Sequence, residues 1–107
     1  MDKTKNYLKL KKFCLSQGAD LFGVAETSVI KNDFALSLKA LEGLDRAVCL
    51  GLRLSSAVLR EISGAPTKLY FHHYRTVNAS LDQLALKVAN YLQNCGYAAL
   101  PIPASQI

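Results

Sequence analysis

The run Arg46-Ala-Val-Cys-Leu-Gly-Leu-Arg-Leu54 carries no polar side chain between Arg46 and Arg53. Its apolar residues follow one another instead of alternating. This predicts a strand covered on both faces. Toward the N-terminus, Asp20-Leu-Phe-Gly-Val-Ala-Glu26 is a second short apolar stretch bounded by polar residues, and it also reads as a strand. Toward the C-terminus, Tyr97-Ala-Ala-Leu100 reads as a third, with Pro101 and Pro103 confining it to an edge or an exit. The intervening segments have helical periodicity. The expected fold is α/β, a small layered sheet of about three or more short strands with helices packed on it.

The helical pattern begins at about Thr4, where Tyr7, Leu10, Cys14 and Gln17 recur at helical spacing and Phe13 widens the stripe. Gly18 is placed to end this helix in a left-handed cap. Asp33 can cap a short helix through Leu41, and Gly43 interrupts it. Ser55 or Ser56 can cap another that carries Val58, Leu59 and Ile62 and closes at Gly64-Ala-Pro66. The longest element spans about 67–94. Tyr70, Tyr74, Val77, Leu81, Leu84, Val88, Tyr91 and Cys95 form its apolar stripe, broadened by Ala85, Ala89 and Leu92. Gly96 ends it.

A chain of 107 residues, half of them hydrophobic, suits one domain with its own core. Its first residues are polar and rich in lysine, unlike a signal peptide. No apolar run approaches the roughly 20 residues of a membrane span, so a soluble, cytoplasmic protein is expected. Cys14, Cys49 and Cys95 are scattered and odd in number, which favours small core residues over a disulfide framework or a zinc site. The net charge of +5 has a local origin. Lys3, Lys5, Lys9, Lys11 and Lys12 all lie in the first helix, and setting them and Asp2 aside leaves eight basic against seven acidic residues. A solvated helix face explains this better than a nucleic-acid footprint.

The string Leu69-Tyr-Phe-His-His-Tyr-Arg-Thr-Val-Asn78 concentrates the polar chemistry of the chain at the start of the long helix. His72 and Arg75, three apart, share a ridge and can present donors to one anionic or amide-bearing ligand. Equally, this can be a polar first turn packed under a neighbouring domain, with the histidines capping backbone groups. His72 and His73 are adjacent and point about 100° apart, which does not suit chelation of one metal ion. No catalytic residue is assigned, because no nucleophile has a base beside it and Ser105 lies in no nucleophile elbow.

His72-His-Tyr-Arg-Thr-Val-Asn78, then Leu81-Asp-Gln-Leu-Ala85, then Gly96-Tyr-Ala-Ala-Leu-Pro-Ile-Pro-Ala-Ser-Gln106 together resemble the N-terminal region of iron–sulfur proteins related to epoxyqueuosine reductase. Leu15-Ser-Gln-Gly-Ala-Asp-Leu-Phe-Gly-Val-Ala25 is similar to that family's first helix and strand. The resemblance implies a single N-terminal α/β domain over 1–107, a fragment of a longer protein and not active alone. Such a domain helps to hold a corrinoid. A following ferredoxin-like segment carries the cysteines of two [4Fe–4S] clusters, and electrons pass from these to cobalt. The resemblance assigns corrinoid contacts to His72, His73, Tyr74, Arg75, Ser105 and Gln106. Epoxyqueuosine reductases carry Asp-Tyr-His near the start of the corresponding helix, whereas the matching positions here read His73-Tyr74-Arg75. That departure points to a related subgroup with another substrate. The alternative is an interaction domain that packs on the ferredoxin-like segment and binds no cofactor. Without that partner, the isolated domain is expected to dimerise through the segment after Gly96 or the outward tyrosines of the long helix.

Overall fold

A computed structural model describes residues 3–26 and 43–104 of the chain. The elements run α1 (Lys3–Ser16), β1 (Leu21–Glu26), β2 (Arg46–Gly51), α2 (Ser56–Arg60) and α3 (Lys68–Asn94). The helix expected between Asp33 and Leu41 lies outside the described residues.

Helix boundaries follow local chemistry closely. Gly18 adopts φ 110° after α1, so that its own N–H reaches the carbonyl of Leu15 and the N–H of Ala19 reaches that of Cys14. Gly96 repeats this after α3 at φ 95°, with the Gly96 N–H on Gln93 and the Tyr97 N–H on Leu92. Both are Schellman caps, in which a residue lacking Cβ takes the left-handed turn and the last carbonyls gain donors. At the other ends, Thr67 Oγ1 accepts from the Tyr70 N–H at 3.0 Å and Ser55 Oγ from the Val58 N–H at 3.4 Å.

β1 and β2 pair antiparallel in a two-stranded sheet, with Phe22 opposite Leu50 and Val24 opposite Val48. Partners directly opposite share a face, so Phe22, Val48 and Leu50 meet the helices together. The core is thin. Cys14, Ala19, Leu84 and Val88 are buried as one cluster, with Leu10, Phe13 and Leu92 packed around it. Two ring contacts hold α1 in place: Phe13 stacks on Tyr91 of α3 at 4.1 Å between centroids, and Tyr7 meets Phe22 at 5.4 Å.

Three expectations are corrected. The described residues form two strands, not three. Residues 97–100 carry no strand pairing, because Tyr97 is committed to the α3 cap and Pro101 and Pro103 have no N–H to donate. β2 is not covered on both faces. Leu21 and Cys49 lie on the side away from the helices, and Leu21 is 70% exposed. A continuous apolar run predicts two-sided cover only where helices reach both sides of the sheet, and α1 and α3 reach one. For the same reason Cys49 is exposed; Cys95, the C-cap of α3, is exposed too, so only Cys14 of the three cysteines is a core residue.

Candidate functional site

The first turns of α3 gather the polar string, and the structure separates its members. His73 is half-buried, and its Nε2 accepts a hydrogen bond from the backbone N–H of Ser55 at 3.0 Å. An accepting Nε2 carries no proton, so the neutral ring holds its hydrogen on Nδ1. Because Ser55 also caps α2, His73 ties the start of α2 to α3. That imidazole is spent on architecture, in the manner of a histidine capping a backbone group.

His72, Tyr74 and Arg75 are exposed instead. The backbone carbonyl of His72 accepts from Thr76 Oγ1 at 3.0 Å, and the residue is exposed. Tyr74 leans toward Tyr70, with ring centroids 6.2 Å apart. Leu69 and Phe71 are exposed on the same turns, Phe71 by 60%. The result is a convex helical surface of aromatic rings, an imidazole and a guanidinium. It can grip an anionic or amide-rich group by charge-assisted hydrogen bonds and ring contact.

Ser105 and Gln106 lie outside the described residues; the tail is described as far as Ala104. Its N–H donates to Asp82 Oδ1 at 2.7 Å. Asp82 follows Arg75 by seven residues, which places both on one face of α3, about 10 Å apart along the axis. The structure thus brings the tail to the helix face that carries Arg75. Sequence reasoning assigned Asp82 no role. Its only signal was its place in the Leu81-Asp-Gln-Leu-Ala85 string, since a carboxylate on an exposed helix face is ordinarily just solvated.

A second feature was not foreseen. A slot of about 290 Å³ runs between β2, the second half of α3 and the tail, with Val48, Leu50, Leu81, Ala85, Leu92 and Leu100 among its walls. Arg46 stands at one end, 3.7 Å from Glu26 Oε1 and 3.6 Å from Asp45 Oδ2. Among the described residues, no three histidine, cysteine or carboxylate side chains form a group able to hold a metal ion, and no helix is long and apolar enough to cross a membrane.

No protein-family model, no curated protein and no solved structure matches this chain.

Proposed function

We propose that this chain is the N-terminal domain of a cytoplasmic iron–sulfur oxidoreductase related to epoxyqueuosine reductase. In this reading the start of α3 and the tail beyond Ala104 meet one edge of a corrinoid. The observation that carries it is the Asp82–Ala104 bond, which lays the tail on the face of α3 that presents Arg75. The donor set suits the group: the rim of a corrinoid offers amide carbonyls and a phosphate, which match the hydroxyl of Tyr74 and the cations or N–H groups of Arg75 and His72. His73 is a support for this surface rather than part of it, since its ring already holds Ser55. When bound, the corrinoid supplies two-electron redox chemistry; the residues of the domain orient its edge and balance its charge. The clusters belong to a ferredoxin-like segment beyond this domain. Three free thiols suit a reducing compartment.

Titrating hydroxocobalamin into ¹⁵N-labelled protein tests the reading. Shifts should gather at His72, Tyr74, Arg75 and the residues around Ala104, and Arg75→Ala should weaken them several-fold. Shifts confined to the lysines of α1 would mean nonspecific charge binding and would refute it.

A second reading is favoured by the bare apolar side chains on the sheet and at the start of α3. Here the domain packs on the ferredoxin-like segment and binds no cofactor, and hydroxocobalamin leaves the spectrum unchanged. In either case the isolated domain is expected to form a two-fold dimer that covers Phe71 and Tyr74 or the segment after Gly96. Light scattering over a dilution series should show dissociation. A strict monomer at high concentration would count against a missing partner.

A further inference from the structure

We propose that the outward face of α1 is a docking surface for an anionic lipid bilayer, with Leu8 and Leu15 entering the headgroup layer and Lys5, Lys9, Lys11 and Lys12 meeting its negative charge. The inner face of the helix is spent on the fold, where Leu10, Phe13 and Cys14 pack in the core. On the other side Leu8 is 56% exposed and Leu15 43%. They stand seven residues apart in the sequence, so they lie along one line of the helix, about 10 Å apart. All four lysines are exposed as well.

Lysines alone make an ordinary solvated face, and a single outward leucine needs no explanation. Here the two are combined. Residues three and four apart are neighbours on a helix. Leu8 therefore has Lys5, Lys11 and Lys12 around it, and Leu15 has Lys11 and Lys12. No acidic residue occurs between Lys3 and Ala19. Among the described residues, Lys9, Lys11 and Lys12 make no ion pair. An apolar pair ringed by cations suits a helix lying in a charged interface. The leucines reach toward the acyl boundary. The lysine stems lie along it while their ammonium groups stay among the headgroups.

The chemistry of the face selects a bilayer over other polyanions. α1 has no arginine, the residue that grips single phosphates with a two-pronged fork. Its two rings are engaged, Tyr7 with Phe22 and Phe13 with Tyr91, so neither is presented as a platform for a nucleic-acid base. Lysine is a flexible point charge that suits a diffuse negative surface, and a convex helix meets a plane without a matching groove. Each lysine near an anionic leaflet strengthens binding about fivefold. Four lysines and two leucines give an attachment that is peripheral, reversible and sensitive to salt. It forms on another helix than the start of α3, whether or not a corrinoid binds there.

The probe is vesicles of two parts phosphatidylcholine to one part phosphatidylserine, mixed with the full chain and sedimented. The chain should sediment with them at low salt and stay in solution with phosphatidylcholine alone. It should be released as salt approaches about 1 M, where the Debye length falls to about 3 Å. Lys9→Gln combined with Lys12→Gln should weaken binding roughly 25-fold, about fivefold for each charge. Leu8→Ser combined with Leu15→Ser leaves the charge unchanged and should weaken it roughly tenfold, a loss that a purely electrostatic contact does not show. Lys87→Gln on α3 should have no effect. If a variant does not fold by circular dichroism, spin-labelled phosphatidylserine in bicelles decides the matter on the unaltered ¹⁵N-labelled chain, where the amides of residues 8–15 should broaden first. Equal binding to neutral vesicles, indifference to the leucine pair, or broadening centred away from α1 would overturn the proposal. So would tighter capture by duplex DNA or polyglutamate than by the vesicles at equal salt, which would give the face to nucleic acid or to an acidic protein. The hydroxocobalamin titration reads α3 and stands or falls separately.

Discussion

Replacing Leu84 with alanine is expected to cost about 2–5 kcal/mol and to lower the melting temperature by roughly 10–25 °C. Leu84 is 5% exposed and belongs to a buried cluster whose other members are Cys14, Ala19 and Val88. It is the bulkiest of the four, and its removal leaves a cavity that two small neighbours cannot fill. A domain of this kind has a total stability of roughly 5–15 kcal/mol. The loss is therefore a large share of the whole. Leu86, two positions on, is 53% exposed, and Leu86→Ala should change stability by no more than about 0.5 kcal/mol. Thermal and urea melts of the two variants check this. Similar losses at both positions would mean that α3 does not pack by the face described here.

The second large effect concerns thiol chemistry. Cys14 has no exposed surface, and burial raises its thiol pKa above the ordinary value. Cys49 and Cys95 are exposed. A thiol reagent should modify two cysteines at once and the third only through unfolding, slower by on the order of a thousandfold if opening costs about 4 kcal/mol. The pH dependence has a definite sign. Folded Cys14 keeps its proton to higher pH than it does in the unfolded chain. Above about 8.5, where a free thiol ionises, the folded state holds the extra proton, and stability falls as pH rises until the raised value is passed. Cys14→Ala should flatten that part of the profile. Three thiols reacting together in the native protein would contradict the burial of Cys14.

The elements that were legible in the sequence are those closed by local chemistry. Gly18 and Gly96 mark the ends of α1 and α3 because only a residue without Cβ takes the left-handed turn at low cost. Thr67 and Ser55 mark helix starts because their oxygens reach an unpaired N–H two or three residues on. The stripe from Leu81 to Leu92 announced a buried face, and Leu84, Val88 and Ala89 occupy it. For the caps the deciding atoms lie within one helical turn.

What escaped a linear reading depends on what stands opposite. Tyr74 continues the apolar stripe of α3 yet is exposed; among the described residues, the start of that helix is tied to the short α2 through His73 and Ser55. Cys49 sits in an unbroken apolar run yet faces outward, because no described helix covers that side of β2. Residues 97–100 have strand composition, but a strand needs a partner ladder, and the tail is instead drawn to Asp82 across a slot. His73 and His72 are neighbours in sequence with opposite fates, one bonded to Ser55 and one open to solvent. The sequence by itself determined the described helices, their caps and the position of the two strands, since these rest on local pattern and contacts between near neighbours; the antiparallel pairing of the strands joins residues 20 to 30 apart. Only the tertiary structure decided which apolar faces are covered, which histidine is free and where the tail lies, because those depend on groups that are distant along the chain, such as Ser55 and His73 or Asp82 and Ala104.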